Sequence, residues 1–481
     1  MNFMHPKPVI SRIIVSLLLC VWVASFFGYL GWKPGFAYNA QRYFEIFLLG
    51  CLMCAGSMLP VRFRWTHFWA RLCIVLLFVM ALVVGAAENR WLAVREGLQY
   101  LGLFAAILVV AKARHHAGDY SFDRAAYIGL TLFCFGCSLI VLEGLVLSIS
   151  VGQLDPRIVF GAFVNVRIFA ELQFLTLLLL PAVWLQIDSV AWRRFVFLTA
   201  ILWWGLLLFS GTRSALVALP FGLLVLGLSG WGKNPIWFRV LAGQFIGGVV
   251  VFLGLRVAIA LMLDESLWGK GSMSLARASS SGRLDMWMDS WAHFLEHPWF
   301  GNGPGAFACF TSGLPASPHN LIFLLLSEWG MLVTLLSLGL ALVLFILLVR
   351  RLRSAKEVGP LQFSLFATLV AVFTASMMEG MIVAPLQQML IVLIFGWAWH
   401  VFSPESFAPL IGKALRSYRV RYVVVLVTFL GIVLWGVKAD LSLQKTLLVS
   451  PDGVVNLSYG PRFWADGHDH CTAWHIRYGA Q

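Results

Sequence analysis

Long runs of apolar residues alternate with short polar segments along most of the chain. Each run approaches the roughly 20 residues that a helix needs to cross the hydrocarbon core of a bilayer. We predict an all-α polytopic membrane protein with about 12–13 transmembrane helices. The candidate spans are Ile10–Leu30, Tyr43–Leu59, Phe68–Ala87, Leu98–Ala111, Ala125–Ser148, Ile168–Ile187, Phe195–Phe209, Ala215–Leu228, Val240–Leu263, Leu321–Val349, Phe363–Met378, Ile382–Val401 and Tyr422–Val437.

One polar segment, 279–330, stands out because it gathers charged residues, histidines, glycines and prolines between two apolar spans. Its first part has apolar residues at spacings of three and four, which predicts an amphipathic helix. These residues are Leu284, Trp287, Met288, Trp291, Phe294 and Leu295. We expect this helix to lie in the membrane interface, with Trp287 and Trp291 as its anchors.

The second part of this segment has the residues of a turn and of a proton-exchanging site. His297-Pro298 should end the amphipathic helix, and the glycines from Gly301 to Gly305 should form a tight turn in which the backbone can approach a ligand closely. His319 comes just before the next apolar span, at the membrane boundary. An imidazole there can accept or donate a proton near neutral pH.

The basic residues predict the orientation of the spans. With the N-terminus in the cytoplasm, Lys and Arg concentrate in alternate loops, as the positive-inside rule requires. They are Arg62 and Arg64; Lys112, Arg114 and Arg124; Arg193 and Arg194; Lys233 and Arg239; Arg350, Arg351, Arg353 and Lys356; and Lys413, Arg416, Arg419 and Arg421. The net charge of +13 therefore indicates orientation signals and not nucleic-acid binding.

This orientation divides the chain into four parts. We predict an N-terminal transmembrane bundle at 1–263, a periplasmic catalytic loop at 264–320, C-terminal transmembrane helices at 321–438 and a short periplasmic tail at 439–481. Chemistry is then expected outside the cytoplasm, which is the periplasmic face of the inner membrane if the organism is Gram-negative.

Several arginines on that face are not needed for orientation. Arg213 lies in a polar break between two apolar spans, where an ionised side chain is costly unless it meets a wet cavity or an anionic partner. The alternative is a structural pair with a carboxylate such as Glu171. Arg157 and Arg167 flank the start of another span, and Arg283 opens the amphipathic helix, where its guanidinium can form paired hydrogen bonds to a phosphate.

The residues of the polar segment resemble the signature of the O-antigen ligase and polymerase superfamily. The order is Arg-x-x-x-Trp, then His-Pro-x-x-Gly-x-Gly-x-Gly-x-Phe, then His-Asn before a helix with Glu-x-Gly. In this chain it is formed by Arg283, Trp287, His297, Pro298, Gly301, Gly303, Gly305, Phe307, His319, Asn320, Glu328 and Gly330. The superfamily includes lipopolysaccharide O-antigen ligases, O-antigen polymerases and the O-oligosaccharyltransferases that glycosylate pilins.

The resemblance implies a glycosyltransferase that takes a glycan from undecaprenyl diphosphate. His319, Arg213 and Arg283 are then the expected catalytic residues. The expected substrate-binding residues are Arg157, Arg167, Asn165, Asn320, Gly303, Gly305 and Glu379; of these, Asn165 and Glu379 lie in segments similar to outer loops of the superfamily. We expect no metal and no cofactor.

The acceptor remains open at this stage. Lipid A-core, a pilin Ser or Thr, or another lipid-linked repeat all fit the same donor chemistry, the last making the protein an O-antigen polymerase. A transporter of lipid-linked glycans is the non-enzyme alternative. It is disfavoured because the polar residues gather in one outer loop and at span ends, and not at mid-membrane.

Overall fold

The structure, a computed structural model, describes residues 37–59, 61–64, 67–163, 166–264, 282–310 and 317–409. The predicted spans Ile10–Leu30 and Tyr422–Val437, the tail 439–481 and the predicted site residue Asn165 lie outside these residues.

The described part of the chain is almost entirely helical. The helices are α1 (Ala37–Met58), α2 (His67–Ala86), α3 (Arg90–Ala117), α4 (Asp119–Ser150), α5 (Pro156–Val159), α6 (Val166–Thr176), α7 (Leu180–Gln186), α8 (Val190–Ser210), α9 (Arg213–Gly230), α10 (Pro235–Leu263), α11 (Arg283–Glu296), α12 (Phe307–Phe310), α13 (Leu321–Ser354), α14 (Pro360–Ser376) and α15 (Pro385–Phe402). Two short strands, β1 (Val61–Phe63) and β2 (Phe407–Pro409), pair antiparallel with Val61 opposite Pro409.

The prediction of an all-α polytopic membrane protein is confirmed. Eight helical segments within the described ranges are long and apolar enough to cross a bilayer, and shorter apolar helices occupy Phe44–Gly56, Arg71–Ala86 and Pro360–Ser376. Together they correspond to the eleven predicted spans that the structure describes. Two of these spans are not regular throughout: a 3-10 turn at Leu177–Leu179 separates α6 from α7, and Gly330 breaks the helical geometry of α13 with φ 71° and ψ 179°.

Small residues bring the central helices close together. A Cβ at Gly248 of α10 would lie 2.3 Å from the Trp204 Cβ of α8, and one at Gly222 of α9 would lie 2.9 Å from the Ala367 carbonyl oxygen of α14. Such approaches replace the hydrophobic driving force that helices lack inside lipid.

Buried tryptophans also join helices across the bundle, by hydrogen bonds from their indole N–H groups. The indole N–H of Trp203 donates to Thr176 Oγ1, that of Trp237 to Ser364 Oγ and that of Trp397 to Asp123 Oδ1, each at 2.8 Å. Each indole therefore keeps a hydrogen bond that lipid would not provide.

The two ends of the bundle differ in charge and in contacts. At one end, here called the basic face, Lys233 Nζ donates to the carbonyls of Leu352 and Arg353, at the end of α13, each at 2.7 Å. The strand pair β1–β2 lies at the same end. The opposite end, here called the loop face, carries α11, α12 and the turn 377–384 between α14 and α15. The predicted site residues that the structure describes lie at the loop face.

Candidate functional site on the loop face

Arg283 and Glu379 form an ion pair that joins the outer helix to the bundle. Arg283 is the first residue of α11, after Gly282 at φ 74° in the left-handed region. Its Nη2 donates to Glu379 Oε1 at 2.9 Å. The Glu379 side chain is only 2% exposed, against 23% for Arg283. The guanidinium is thus anchored by a buried carboxylate while part of it still reaches solvent.

His319 packs against the same turn. Its backbone has φ 51°, a left-handed conformation that is uncommon for a residue with a Cβ, and its N–H donates to Ser317 Oγ at 3.3 Å. A Cβ added at Gly380 would lie 3.1 Å from His319 Nδ1, so this glycine leaves the room that the imidazole occupies.

Asn320 holds the turn from the beginning of α13. Its Oδ1 accepts from the N–H groups of Ile322 and Phe323, which caps the helix, while its Nδ2 donates to the Met377 carbonyl at 2.9 Å. Residues 377–380 therefore contact Arg283 through Glu379, His319 through Gly380 and Asn320 through Met377. Three residues of the predicted site converge on one short turn.

Arg167 and Glu171 of α6 complete the group of charges. Glu171 is buried, and its Oε2 accepts from Gln387 Nε2 at 2.8 Å. Both Arg167 and Arg283 interact electrostatically with this carboxylate and also with His319. Glu171 thus interacts with Arg167 and Arg283, and the alternative that it pairs with Arg213 stays a prediction.

This environment keeps the His319 imidazole neutral. Its pKa is lowered from 6.5 to about 4, first by burial and then by the positive charges of Arg167 and Arg283. Its Nδ1 is buried without a hydrogen-bond partner among the residues that the structure describes. A neutral imidazole can accept a proton, and an anion bound at the two arginines would offset the charge that disfavours this step.

The remaining predicted arginines occupy different positions. Arg213 is exposed at the start of α9, and since α8 runs from the basic face to the loop face, it lies at the same end of the bundle as His319. Arg157 lies in α5 with its side chain 92% exposed, and it pairs with Asp155 at 3.4 Å. The structure thus does not bring Arg157 into the buried group.

The glycine-rich turn approaches other parts of the protein closely. Gly301 and Gly330 are both in the left-handed region, and a Cβ on Gly301 would lie 2.6 Å from the Gly330 nitrogen. A Cβ on Gly303 would lie 2.4 Å from the Ala87 Cβ, and one on Gly305 would lie 3.0 Å from Leu92 Cγ. These contacts explain, by close packing, why residues 303 and 305 are glycines. A substrate-binding role for Gly303 and Gly305 stays a prediction.

Hydrogen bonds fasten the same turn to the break in α13. The N–H of Gly303 donates to the Glu328 carbonyl at 2.9 Å, the N–H of Met331 donates to the Pro298 carbonyl at 2.8 Å, and the Phe307 N–H donates to Glu328 Oε1 at 3.3 Å. The Glu-x-Gly part of the motif therefore holds the glycine-rich part in place.

Trp287 of α11 packs against the protein, and its predicted role as an anchor in the membrane interface stays a prediction. Its ring stacks on Phe323 with centroids 5.6 Å apart, and its indole N–H donates to the Pro318 carbonyl at 3.0 Å. Trp287 therefore binds α11 to the segment that carries His319. The face that includes Leu284, Met288, Trp291 and Leu295 is the exposed one.

Two contributors to this site were missed in the sequence. Gln387 binds Glu171, and Arg42 of α1 reaches the far end of the turn 377–384. For Gln387 the available signal was a polar side chain within an apolar span, which in a membrane needs an internal partner, whereas Arg42 lies just before its predicted span.

Comparison with known families bears on this geometry. Residues 197–338 match the family model described as O-antigen ligase. This segment, which is less than a third of the chain, is named the O-antigen ligase domain after that similarity. It extends from α8 into α13 and includes Arg213, Arg283 and His319, whereas Arg167 and Glu379 lie on either side of it. The family resemblance of the polar segment is thereby confirmed, and the family indicates a glycosyltransferase-like membrane enzyme. Among curated proteins, none matches the chain.

Proposed function

We propose that the protein is an inner-membrane glycosyltransferase that moves a glycan from undecaprenyl diphosphate to an acceptor on the periplasmic face. The observation that carries this proposal is the convergence of Arg283, Arg167 and His319 on the loop face, with two of the three inside an O-antigen ligase domain. The basic face then lies in the cytoplasm, in agreement with the positive-inside rule.

The arginines are assigned to the donor diphosphate. A guanidinium presents its N–H groups in a planar fork that matches phosphate oxygens and keeps its charge at any physiological pH. Arg283 is held by Glu379 with part of its surface exposed, which suits a group that must bind an incoming anion. Arg213 is assigned to the same diphosphate from its place at the loop face. Arg157 and Asn165 stay predictions from the resemblance.

His319 is assigned as the general base. The oxygen of the acceptor hydroxyl forms a bond to the anomeric carbon of the glycan, while the bond from that carbon to the diphosphate breaks. The diphosphate leaves with the bonding electrons, stabilised by the guanidinium groups, and the hydroxyl proton passes to the neutral imidazole of His319. Asn320 and Gly380 fix the position of that imidazole.

A reconstituted transfer assay tests the assignment. Purified protein is given undecaprenyl-diphosphate oligosaccharide with lipid A-core, pilin or a second lipid-linked repeat as the acceptor, and the glycosylated product is measured. His319→Ala and Arg283→Ala should each lower transfer by about 10²-fold or more. Arg351→Ala is the matched control, because Arg351 pairs with Glu405 at 2.5 Å on the basic face and should transfer at the wild-type rate.

Each outcome of this assay has a defined meaning. Transfer to one acceptor identifies the reaction as ligation, protein glycosylation or polymerisation. Wild-type transfer by His319→Ala would exclude the base role. No transfer by the wild-type protein to any of the three acceptors would overturn the proposed function.

A further inference from the structure

Arg42 places a buried charge in an apolar helix far from the O-antigen ligase domain in sequence. It lies in α1 and is 2% exposed, and its Nη1 donates to the carboxylate of Glu45, which is 1% exposed. Burial of an ion pair costs several kcal/mol per ion before the mutual attraction is counted. Glu45 lies inside the apolar segment Phe44–Gly56 and Arg42 just before it, and ionisable residues in such places usually have a role beyond packing.

Two further bonds of Arg42 go to the turn that carries Glu379 and to Gln388 in the first turn of α15. Its Nη2 donates to the Val383 carbonyl at 2.8 Å, and its Nη1 donates to Gln388 Oε1 at 2.6 Å. Gln388 in turn donates from Nε2 to the Ile382 carbonyl at 2.7 Å. Two successive carbonyls of the turn 377–384 are thus held by two side chains that are also bonded to each other.

The turn passes this restraint to the site. The N–H of Val383 donates to the Gly380 carbonyl at 3.0 Å, which links the half held by Arg42 to the half that contacts the site. Gly380 packs on His319, and the neighbouring Glu379 binds Arg283. The path from Arg42 to the guanidinium of Arg283 therefore consists of three hydrogen bonds connected by the backbone of one short turn.

We propose that Arg42, together with Gln388, is a positioning residue that acts through the turn 377–384 to fix Glu379 and, through it, Arg283. The inference rests on the function proposed above. Arg42 itself is buried under the turn and touches no substrate; it sets the place from which Arg283 meets the donor. The site then depends on α1 as well as on the O-antigen ligase domain.

Amide hydrogen exchange tests the structural half of this proposal without any substrate. The first variant replaces the ion pair by apolar residues, Arg42→Met with Glu45→Met, so that no carboxylate is left buried alone. The second is Gln388→Met, which removes one link and keeps Arg42. Amides of 377–384 should exchange faster in both variants. The control is Arg114→Met, which removes an equally buried arginine that bonds Asp123 on the basic face and should leave the turn unchanged.

Transfer kinetics test the functional half. The Arg42→Met, Glu45→Met variant should lower kcat by about 10- to 100-fold per folded molecule and raise KM for the donor, as a misplaced binding group does. In a Glu379→Gln background, the fold reduction in kcat caused by the same replacement should be less than about a third of the reduction in the wild-type background, because both changes release the same guanidinium. If the Arg42→Met, Glu45→Met variant had only a stability defect, the yield of folded protein would fall. Its effect on kcat would then simply multiply with that of Glu379→Gln.

The outcomes separate the two proposals. Unchanged exchange in 377–384, or fully multiplicative effects of the two changes on kcat, would overturn the role of Arg42. A wild-type protein that transfers no glycan would overturn the proposed function whatever the exchange data show.

Discussion

Asn320 does two jobs at once: it caps α13 through Oδ1, and it donates from Nδ2 to the carbonyl of Met377 at 2.9 Å. The first job stabilises a helix, as many asparagines do at this position. The second binds the residue after His319 to the turn that carries Glu379. The two jobs can be separated by substitution, because a carboxylate can cap a helix but cannot donate to a carbonyl.

Asn320→Asp should therefore keep the fold and lose activity. The carboxylate still accepts from the first N–H groups of α13 and suits the helix dipole, so we expect the free energy of unfolding to change by less than about 1 kcal/mol. The lost donation and the repulsion from the Met377 carbonyl should lower transfer by about 10-fold or more. Thermal unfolding in detergent and the transfer assay measure the two effects.

Asn234 provides a matched control on the basic face. It caps α10 by accepting from the Trp237 N–H and donates to the Val358 carbonyl, both at 3.2 Å. Asn234→Asp should change stability as Asn320→Asp does and leave transfer per folded molecule unchanged. Equal loss of transfer in both variants would show that Asn320 matters only for stability.

The acid limb of the pH profile should differ between the free and the donor-bound enzyme. The base form of His319 is neutral, so activity is lost as the pH falls through its pKa, which is about 4 in the free enzyme. The acid limb of kcat/KM, which reports the free enzyme, should therefore lie near this pKa. A bound diphosphate offsets the charges of Arg167 and Arg283, which raises the pKa and moves the limb of kcat to higher pH.

Steady-state rates between pH 3.5 and about 8 measure both limbs. Arg167→Gln removes one of the charges and should shift the kcat/KM limb upward by itself. A kcat limb at the same pH as that of kcat/KM, or below it, would contradict the assignment of His319 as a base next to the diphosphate.

Gly330 should tolerate no side chain. Its φ of 71° is unfavourable for alanine, and a Cβ there would lie 2.4 Å from the Trp299 carbonyl oxygen. We expect Gly330→Ala to destabilise the protein by about 2–4 kcal/mol, since backbone on both sides must move. Gly339→Ala, in the same helix with nothing within 4 Å of the added Cβ, should be neutral or slightly stabilising. Thermal unfolding compares the two variants, and equal melting temperatures would refute the packing explanation.

The orientation of the two faces can be measured by chemical labelling. In a background without native cysteines, Glu296→Cys on the loop face should react with a membrane-impermeant maleimide in cells whose outer membrane is permeabilised. Lys356→Cys, exposed at the basic face, should react only after the inner membrane is opened. The reverse pattern would place the site in the cytoplasm and exclude a periplasmic acceptor.

Local patterns in the sequence predicted the elements of this fold well. Hydropathy predicted the spans because the bilayer requires each to be apolar over a fixed length. The spacing from Leu284 to Leu295 predicted α11, and His297-Pro298 marked its end, which the structure has at Glu296. The division into a bundle, a catalytic loop, C-terminal helices and a tail stays a prediction.

Contacts between distant residues left no such signal. Gln387 binds Glu171 across 216 positions, and Arg42 binds Val383 across 341. Neither pair has a repeat, a spacing or a motif that connects its members, so only the packed helices reveal them. The stacking of Trp287 on Phe323 gave no signal for a related reason: periodicity places Trp287 on the apolar side of α11 but does not say which residue or lipid it contacts.

The break at Gly330 divides α13 into two segments with different surroundings. The outer segment, 321–329, is bonded to Asn302 and Gly303, while the part below it belongs to a span whose most apolar window is only 11% buried within the protein. Between 335 and 349 no residue is buried, so this part of the lower segment mainly has to suit the lipid. We expect its residues to be exchangeable for other apolar ones of the same length, so that an unrelated membrane helix grafted from 335 to 349 should leave transfer intact.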